Sequence, residues 1–239
     1  MLIGEDFEKI QFTLFGLDLL EPNGLIGNLI LCLLTLYIAF RLKKSRIEHP
    51  FVTNWYYYFL GFGIAFIFGG LGHTLWNYWG LYGKIIPWFS ALFTVFFMEQ
   101  AMISLHKSPG TLRLLKNLSV IKLVLFNGLL LFVLLTNWEA IELDLPKGFI
   151  VPSVGSALGI LFSMGGLSWF YHRKKYGDFR YFLWSVAVLL PSAIFQVMKI
   201  NIHPWMDRND VAHLFMLFSY ICYYQGVKEI SRSKTLDPN

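Results

Sequence analysis

The sequence predicts an all-α, polytopic membrane protein of seven transmembrane helices, its N-terminus outside and its C-terminus in the cytoplasm. Four observations predict it. Hydrophobic residues make up 56% and charged residues 15% of the 239, where a soluble domain carries roughly 25% charge. Mean hydropathy is +0.53. Apolar runs near the length of about 20 residues that a bilayer demands recur along the chain, and basic residues alternate from one loop to the next.

Taken in order, the runs are Gly24–Phe40, Asn54–Trp76, Ile85–Leu105, Ser119–Thr136, Gly148–Tyr171, Tyr181–Lys199 and Asn209–Val227. Pro50, Pro87, Pro109, Pro146, Pro152 and Pro204 fall at or near their ends, where a missing N–H does little harm. Pro191 falls in the middle of the sixth and predicts a kink there. The chain divides into a short segment 1–23, a membrane domain 24–228 and a tail 229–239. The first twenty or so residues carry Glu5, Asp6, Glu8, Asp18 and Glu21 and lack a basic leader, so the first apolar run is expected to stay in the membrane.

Charge gives the orientation. One set of loops holds Arg41, Lys43, Lys44 and Arg46, then Lys107, Arg113 and Lys116, then Arg173, Lys174, Lys175 and Arg180, and the tail adds Lys228, Arg232 and Lys234. The other side offers Lys9, Lys84, Lys147, Lys199 and Arg208, diluted by Glu139, Glu142 and Asp144. The richer side is cytoplasmic. Because the net charge of +5 is spread over these short loops, membrane lipids are the expected partner and nucleic acid is not. Short loops and the lack of a targeting signal point to a bacterial inner membrane. Cys32 and Cys222 both lie in apolar runs, so no structural disulfide is expected.

Small residues recur every fourth position, at Gly61, Ala65 and Gly69 in the second helix and at Gly155, Gly159 and Ser163 in the fifth. Such stripes let helix backbones approach closely, and packing is their expected role.

Ionisable groups at membrane depth are costly and are candidates for function. In the predicted orientation one level gathers His73, His203, Asp207, Asn209, Asp210 and His213. Asn209 and His213 are four apart and Asp210 and His213 three apart, so they share a helical face. Imidazole and carboxylate from two helices can hold Zn2+ with a water in the open position, and the metal makes that water a nucleophile near neutral pH. The other reading is that Asp207, Asn209 and Asp210 cap the seventh helix. Glu99, deep in the third helix, is the second candidate: a proton relay or ion ligand, or a carboxyl bonded to Asn127 or Gln100. Lys122 and Lys199 sit at segment ends and are expected to snorkel.

Gly69-Gly70-Leu71-Gly72-His73 and Asn209-Asp210-Val211-Ala212-His213 carry a resemblance. In helix number and in these two histidines the chain resembles the seven-helix membrane hydrolases that include alkaline ceramidases, progestin and adiponectin receptors and GPI-lipid-remodelling proteins. The resemblance implies zinc on His73 and His213, with His203 as a further ligand, Asp210 and Asn209 serving catalysis, and a lipid amide or ester as substrate. The chain departs from the family pattern at Gly69, where a Ser is usual, at Asn209, where a His is usual, and at Ile85–Ser90, which lacks an Asp. Two other classes stay open: a channel or proton-coupled transporter using Glu99, and a non-catalytic sensor or scaffold. A retinal protein is not expected, because no Lys lies between Asn209 and Val227. The sequence has no phosphate-binding Gly loop ending in Lys-Ser/Thr, no Cys-x-x-Cys pair and no Gly-x-Ser-x-Gly elbow.

Overall fold

A computed structural model describes residues 1–233 and 236. Lys234 and most of the predicted tail beyond it lie outside the described residues. Long helices dominate: α1 (Pro22–Lys44), α2 (Pro50–Thr74), the short α3 (Trp76–Trp79), α4 (Tyr82–Ile103), α5 (Pro109–Thr136), the short α6 (Trp138–Leu143), α7 (Pro146–Ile160), a π-helical stretch Leu161–Leu167, α8 (Ser168–Arg173), α9 (Arg180–Val197) and α10 (Arg208–Arg232). Among the described residues six helical segments are long and apolar enough to cross a bilayer, with Pro146–Arg173 counted as one. The protein is a multi-pass helical membrane protein.

Prolines explain where the helices begin. Pro22, Pro50, Pro109 and Pro146 each occupy the first turn, where the fixed φ is already helical and no N–H is lost. The helices therefore start earlier than apolar content alone predicts, and α5 starts ten residues before Ser119. The same shift places Pro87 and Pro152 inside helices beside Pro191, rather than at helix ends.

The helices close a ring. α1 packs along α2, α2 on α4, α4 on the span built from α7 and the π stretch, that span on α9, α9 on α10, and α10 back on α1, while α5 lies outside against α4 and α7. At the Pro50 end of α2 the ring is filled with aromatics. Trp55 stacks on Phe182 with centroids 5.5 Å apart, and Tyr58 and Tyr223 meet edge to face at 5.9 Å. Offset and edge-on ring pairs of this kind add about 0.5–1.5 kcal/mol each beyond burial. The outer surface is apolar: Leu33, Val124 and Leu135 are more than 60% exposed, as lipid contact requires.

The small-residue stripes are packing surfaces, as predicted. Gly61 lies against Thr94, Gly69 against Asn28 and Gly155 against Leu92 and Phe126. The closest approach is one the stripes do not include. Gly72 of α2 lies against the backbone of Gly83 in α4, and a Cβ on Gly72 would overlap the Gly83 carbonyl. Gly72→Ala is expected to cost about 1–3 kcal/mol, the usual penalty of overpacking, read as a lower unfolding temperature in detergent.

At the aromatic end of the ring α9 packs on the π stretch and α8, and towards the opposite end it does not run along α7. α7 and α9 therefore diverge, and a cavity opens between them. The N-terminal residues cover this end. β1 (Leu2–Ile3) pairs antiparallel with β4 (Ile200–Asn201), and β2 (Gln11–Leu14) with β3 (Leu17–Leu20). Phe15 and Gly16, at φ 52° and 76°, make the two-residue turn of that hairpin, in which left-handed dihedrals match the strand twist. Asn201 Nδ2 donates to the Glu5 carbonyl at 2.7 Å, and Arg208 Nη2 to Asp6 Oδ2 at 2.9 Å. Asn77 Nδ2 donates to the Asp18 carbonyl at 3.1 Å. The segment 1–21 is thus a cover fixed to three parts of the bundle.

Candidate functional site

The gap between α7 and α9 holds a cavity of about 750 Å3. Its walls are apolar, from Leu20, Trp76, Trp88, Leu145, Phe149 and Val197, and its polar groups include Lys9, Glu21, His73, Lys84 and Asn209. The size suits a drug-sized or single-chain lipid ligand.

His73 closes α2 and its Nδ1 is hydrogen-bonded to the Glu21 carboxylate. Glu21 also pairs with Lys9, which lies 3.5 Å from Asp207 as well. The Glu21 backbone is left-handed, at φ 51° and ψ 62°, immediately before Pro22. A residue other than glycine held there costs about 1–3 kcal/mol, and such strain gathers at functional sites. Here its N–H to the Ile10 carbonyl at 2.9 Å and its two side-chain partners hold it.

Burial pushes the Glu21 carboxyl up, but His73 and Lys9 outweigh it and hold it well below the usual carboxylate range. Burial pushes the Lys9 ammonium down, and Glu21, Asp207 and Asp6 outweigh that and raise it. A depressed acid contributes stability above its ordinary value of 4.5 and loses it as pH falls towards the folded value. A raised amine contributes below its ordinary 10.5 and loses it as pH rises through the folded value. Closure of the cover is therefore expected to be strongest between these limits. Hydrogen exchange at the hairpin amides, corrected for intrinsic rates, should show protection falling as pH drops below 4.5.

Lys84, two residues into α4, is only 8% exposed and lines the cavity. Among the described residues its ammonium has no hydrogen bond or ion pair, and it acts electrostatically on both His73 and His213. The Glu21 carboxylate acts on Lys84 electrostatically from the same cavity wall.

The other predicted residues separate. His213 does not line this cavity but a second one of about 270 Å3 between α1 and α10, with Asn23, Ile30, Trp205 and Asp210. The two imidazoles reach α1 about one turn apart: His73 Cβ lies 3.8 Å from where a Cβ on Gly24 would be, and His213 Nδ1 lies 3.0 Å from that of Gly27. Asp210 is committed to capping. Asp207 and Asp210 form a capping box, and Asp210 Oδ2 accepts from Asn23 at 2.6 Å and from the Asp207 N–H at 3.0 Å. That geometry favours the capping role over the catalytic one predicted for Asp210. His203 is exposed in a tight turn, where its Nδ1 accepts from the Trp205 N–H at 3.2 Å. Asn209 does line the large cavity, and its Oδ1 accepts from Gln196 at 3.2 Å.

Zinc would need three ligands together. Among the described residues no three His, Cys, Asp or Glu side chains are grouped to hold a metal ion. Besides Glu21, the charged groups that act on His73 are the Lys84 and Lys9 ammonium groups, which repel a cation. The residues present do not fit the ion.

Glu99 sits elsewhere, between α4, α5 and α7. It is paired with Lys122 and accepts a hydrogen bond from Ser119, and neither Asn127 nor Gln100 is its partner. Lys122 does not snorkel: its Nζ also donates to the Gly155 carbonyl at 3.0 Å. Gly159 leaves the room for this pair, since a Cβ there would overlap Glu99 and Lys122.

Sequence reasoning missed Glu21, Lys9 and Lys84. Starting the third helix at Ile85 put Lys84 in a loop, although Gly83 and the apolar Ile85-Ile86 flank it. The acid directly before Pro22 was a readable signal, because Pro22 marks the mouth of a helix.

Fold and site together define a multi-pass helical membrane protein with a covered, amphiphile-sized cavity between its helices. The chain belongs to a family of unknown function, DUF6962, whose model matches residues 24–232. No curated protein and no solved structure matches it.

Proposed function

We propose that this protein is a membrane-embedded hydrolase of a lipid amide or ester, working from a cavity on the non-cytoplasmic side. In this reading α10 is the seventh span. It has 25 residues, and buried Ser219, Tyr220 and Tyr223 on its inward face lower its hydropathy. The loop charges support an outside N-terminus in this reading.

The observation that carries the proposal is the Glu21–His73 hydrogen bond at the wall of an apolar cavity beside an unpaired Lys84. A carboxylate on Nδ1 fixes the tautomer and leaves Nε2 as the base. His73 Nε2 takes a proton from water, and the water oxygen bonds to the acyl carbon. Negative charge gathers on the carbonyl oxygen, where the Lys84 ammonium stabilises it. As the carbon–nitrogen or carbon–oxygen bond breaks, His73 returns the proton to the leaving amine or alcohol, and the fatty acid is freed. Asn209 is placed to orient the polar head. The chain enters from the bilayer where α7 and α9 diverge.

The test is release of fatty acid from a panel of fluorogenic acyl amides and esters by purified protein in mixed micelles. Wild type is expected to hydrolyse long-chain members, and Lys84→Met to lose about a hundredfold or more in kcat. An inactive wild type across the whole panel removes the proposal. Because the site gathers Lys84 rather than a third metal ligand, chelator dialysis is expected to leave the rate unchanged, with less than stoichiometric zinc by elemental analysis.

A further inference from the structure

A third cavity, of about 590 Å3, lies at the far end of the bundle, between the last turns of α1 and α10. Arg41, Lys44, Lys228 and Arg232 line it, and none of its lining residues is acidic. Among the described residues none of these four cations makes an ion pair. Their nearest company is aromatic: Arg41 Nη1 donates to the Tyr37 hydroxyl at 3.1 Å, and Lys228 lies over Tyr224 at 5.5 Å. The Ser231 hydroxyl, also in the lining, is buried without a hydrogen-bond partner. Helix C-terminal dipoles favour cations here, but they leave the outer faces of four basic heads and a hydroxyl unsatisfied.

The apolar surface leading to this cavity fits a lipid. Ile26, Ile30, Leu33, Tyr37 and Phe40 are all exposed on α1 at alternating spacings of four and three, which is one continuous helical face. Leu214, Phe218 and Ile221 make the matching ridge on α10. Tyr37 and Phe40, the last residues of the α1 face, also line the basic cavity, so apolar surface and cluster adjoin. We propose that this cavity and the apolar surface beside it bind an acidic glycerophospholipid, its phosphate held by Arg41, Lys44, Lys228, Arg232 and the Ser231 hydroxyl. Basic pockets between transmembrane helices recognise such headgroups. This site is separate from the His73 cavity, and its test does not depend on hydrolysis.

The test is native mass spectrometry of protein released from vesicles of phosphatidylcholine with one quarter phosphatidylglycerol. Wild type is expected to retain phosphatidylglycerol preferentially, and Arg41→Gln/Arg232→Gln to reduce that preference by roughly tenfold or more. Lys44→Gln/Lys228→Gln is the second variant, should the first fold poorly. Arg113→Gln/Lys116→Gln, which removes equal charge from the first turns of α5, is expected to retain the wild-type preference. An equal loss in that control reduces the effect to net charge and overturns the site. Displacement of the lipid by millimolar inorganic phosphate alone, regardless of lipid class, overturns the lipid assignment.

Discussion

Glutamine in place of His73 is expected to lower turnover of a long-chain acyl amide by about a hundredfold to ten-thousandfold, the range attributed to a general base. Glutamine keeps the polar volume and can still bond Glu21, but it cannot carry a proton. The loss should therefore fall on kcat with KM little changed, and the unfolding temperature should stay near that of wild type. Glu21→Gln is expected to do less to the rate, since it removes the group that orients the base and not the base itself. It should also loosen the N-terminal cover by freeing Lys9. If His73→Gln retains wild-type turnover, water activation belongs to another group.

The second large effect is on stability. Glu99 is 2% and Lys122 20% exposed, and removing one member of a buried pair leaves a charge without a partner. Glu99→Gln or Lys122→Met alone is expected to cost about 3–5 kcal/mol, seen as early thermal unfolding in detergent. The double variant Glu99→Gln/Lys122→Met is expected to recover most of that loss, because it removes both charges and neighbours of this kind do not add. The transporter reading of Glu99 makes the opposite forecast: Glu99→Gln would abolish proton flux in liposomes and leave the melting temperature in place.

The sequence made a multi-pass helical membrane protein legible, and six of its apolar runs match helices long enough to span among the described residues, because apolar length is a local property. The start of α5 at Pro109, ten residues before Ser119, was not legible from apolar content. His73 and Asn209 were legible as cavity residues for the same reason: both sit where an apolar helix meets a polar end. The partners of Glu99 were not. Lys122 lies inside the membrane because α5 begins at Pro109, and which way its side chain turns depends on where α4 and α7 pack. The separation of His213 from His73 was hidden for a similar reason. Depth along a helix can be counted in sequence, but which side of α1 each imidazole reaches is set by the closure of the ring. Two residues can share a level and still open onto different cavities.

The π stretch Leu161–Leu167 amounts to one surplus residue in the fifth span. Such widened turns are uncommon and often mark functional positions. Widened turns of this kind also bend a helix. On one side of the bend Ser168–Arg173 is held against α4 by the buried Tyr171, whose hydroxyl donates to the Met102 carbonyl at 3.0 Å, and against α9. On the other side α7 keeps to α4 and leaves α9. The surplus residue thus sits at the joint where the two halves of the span choose different neighbours.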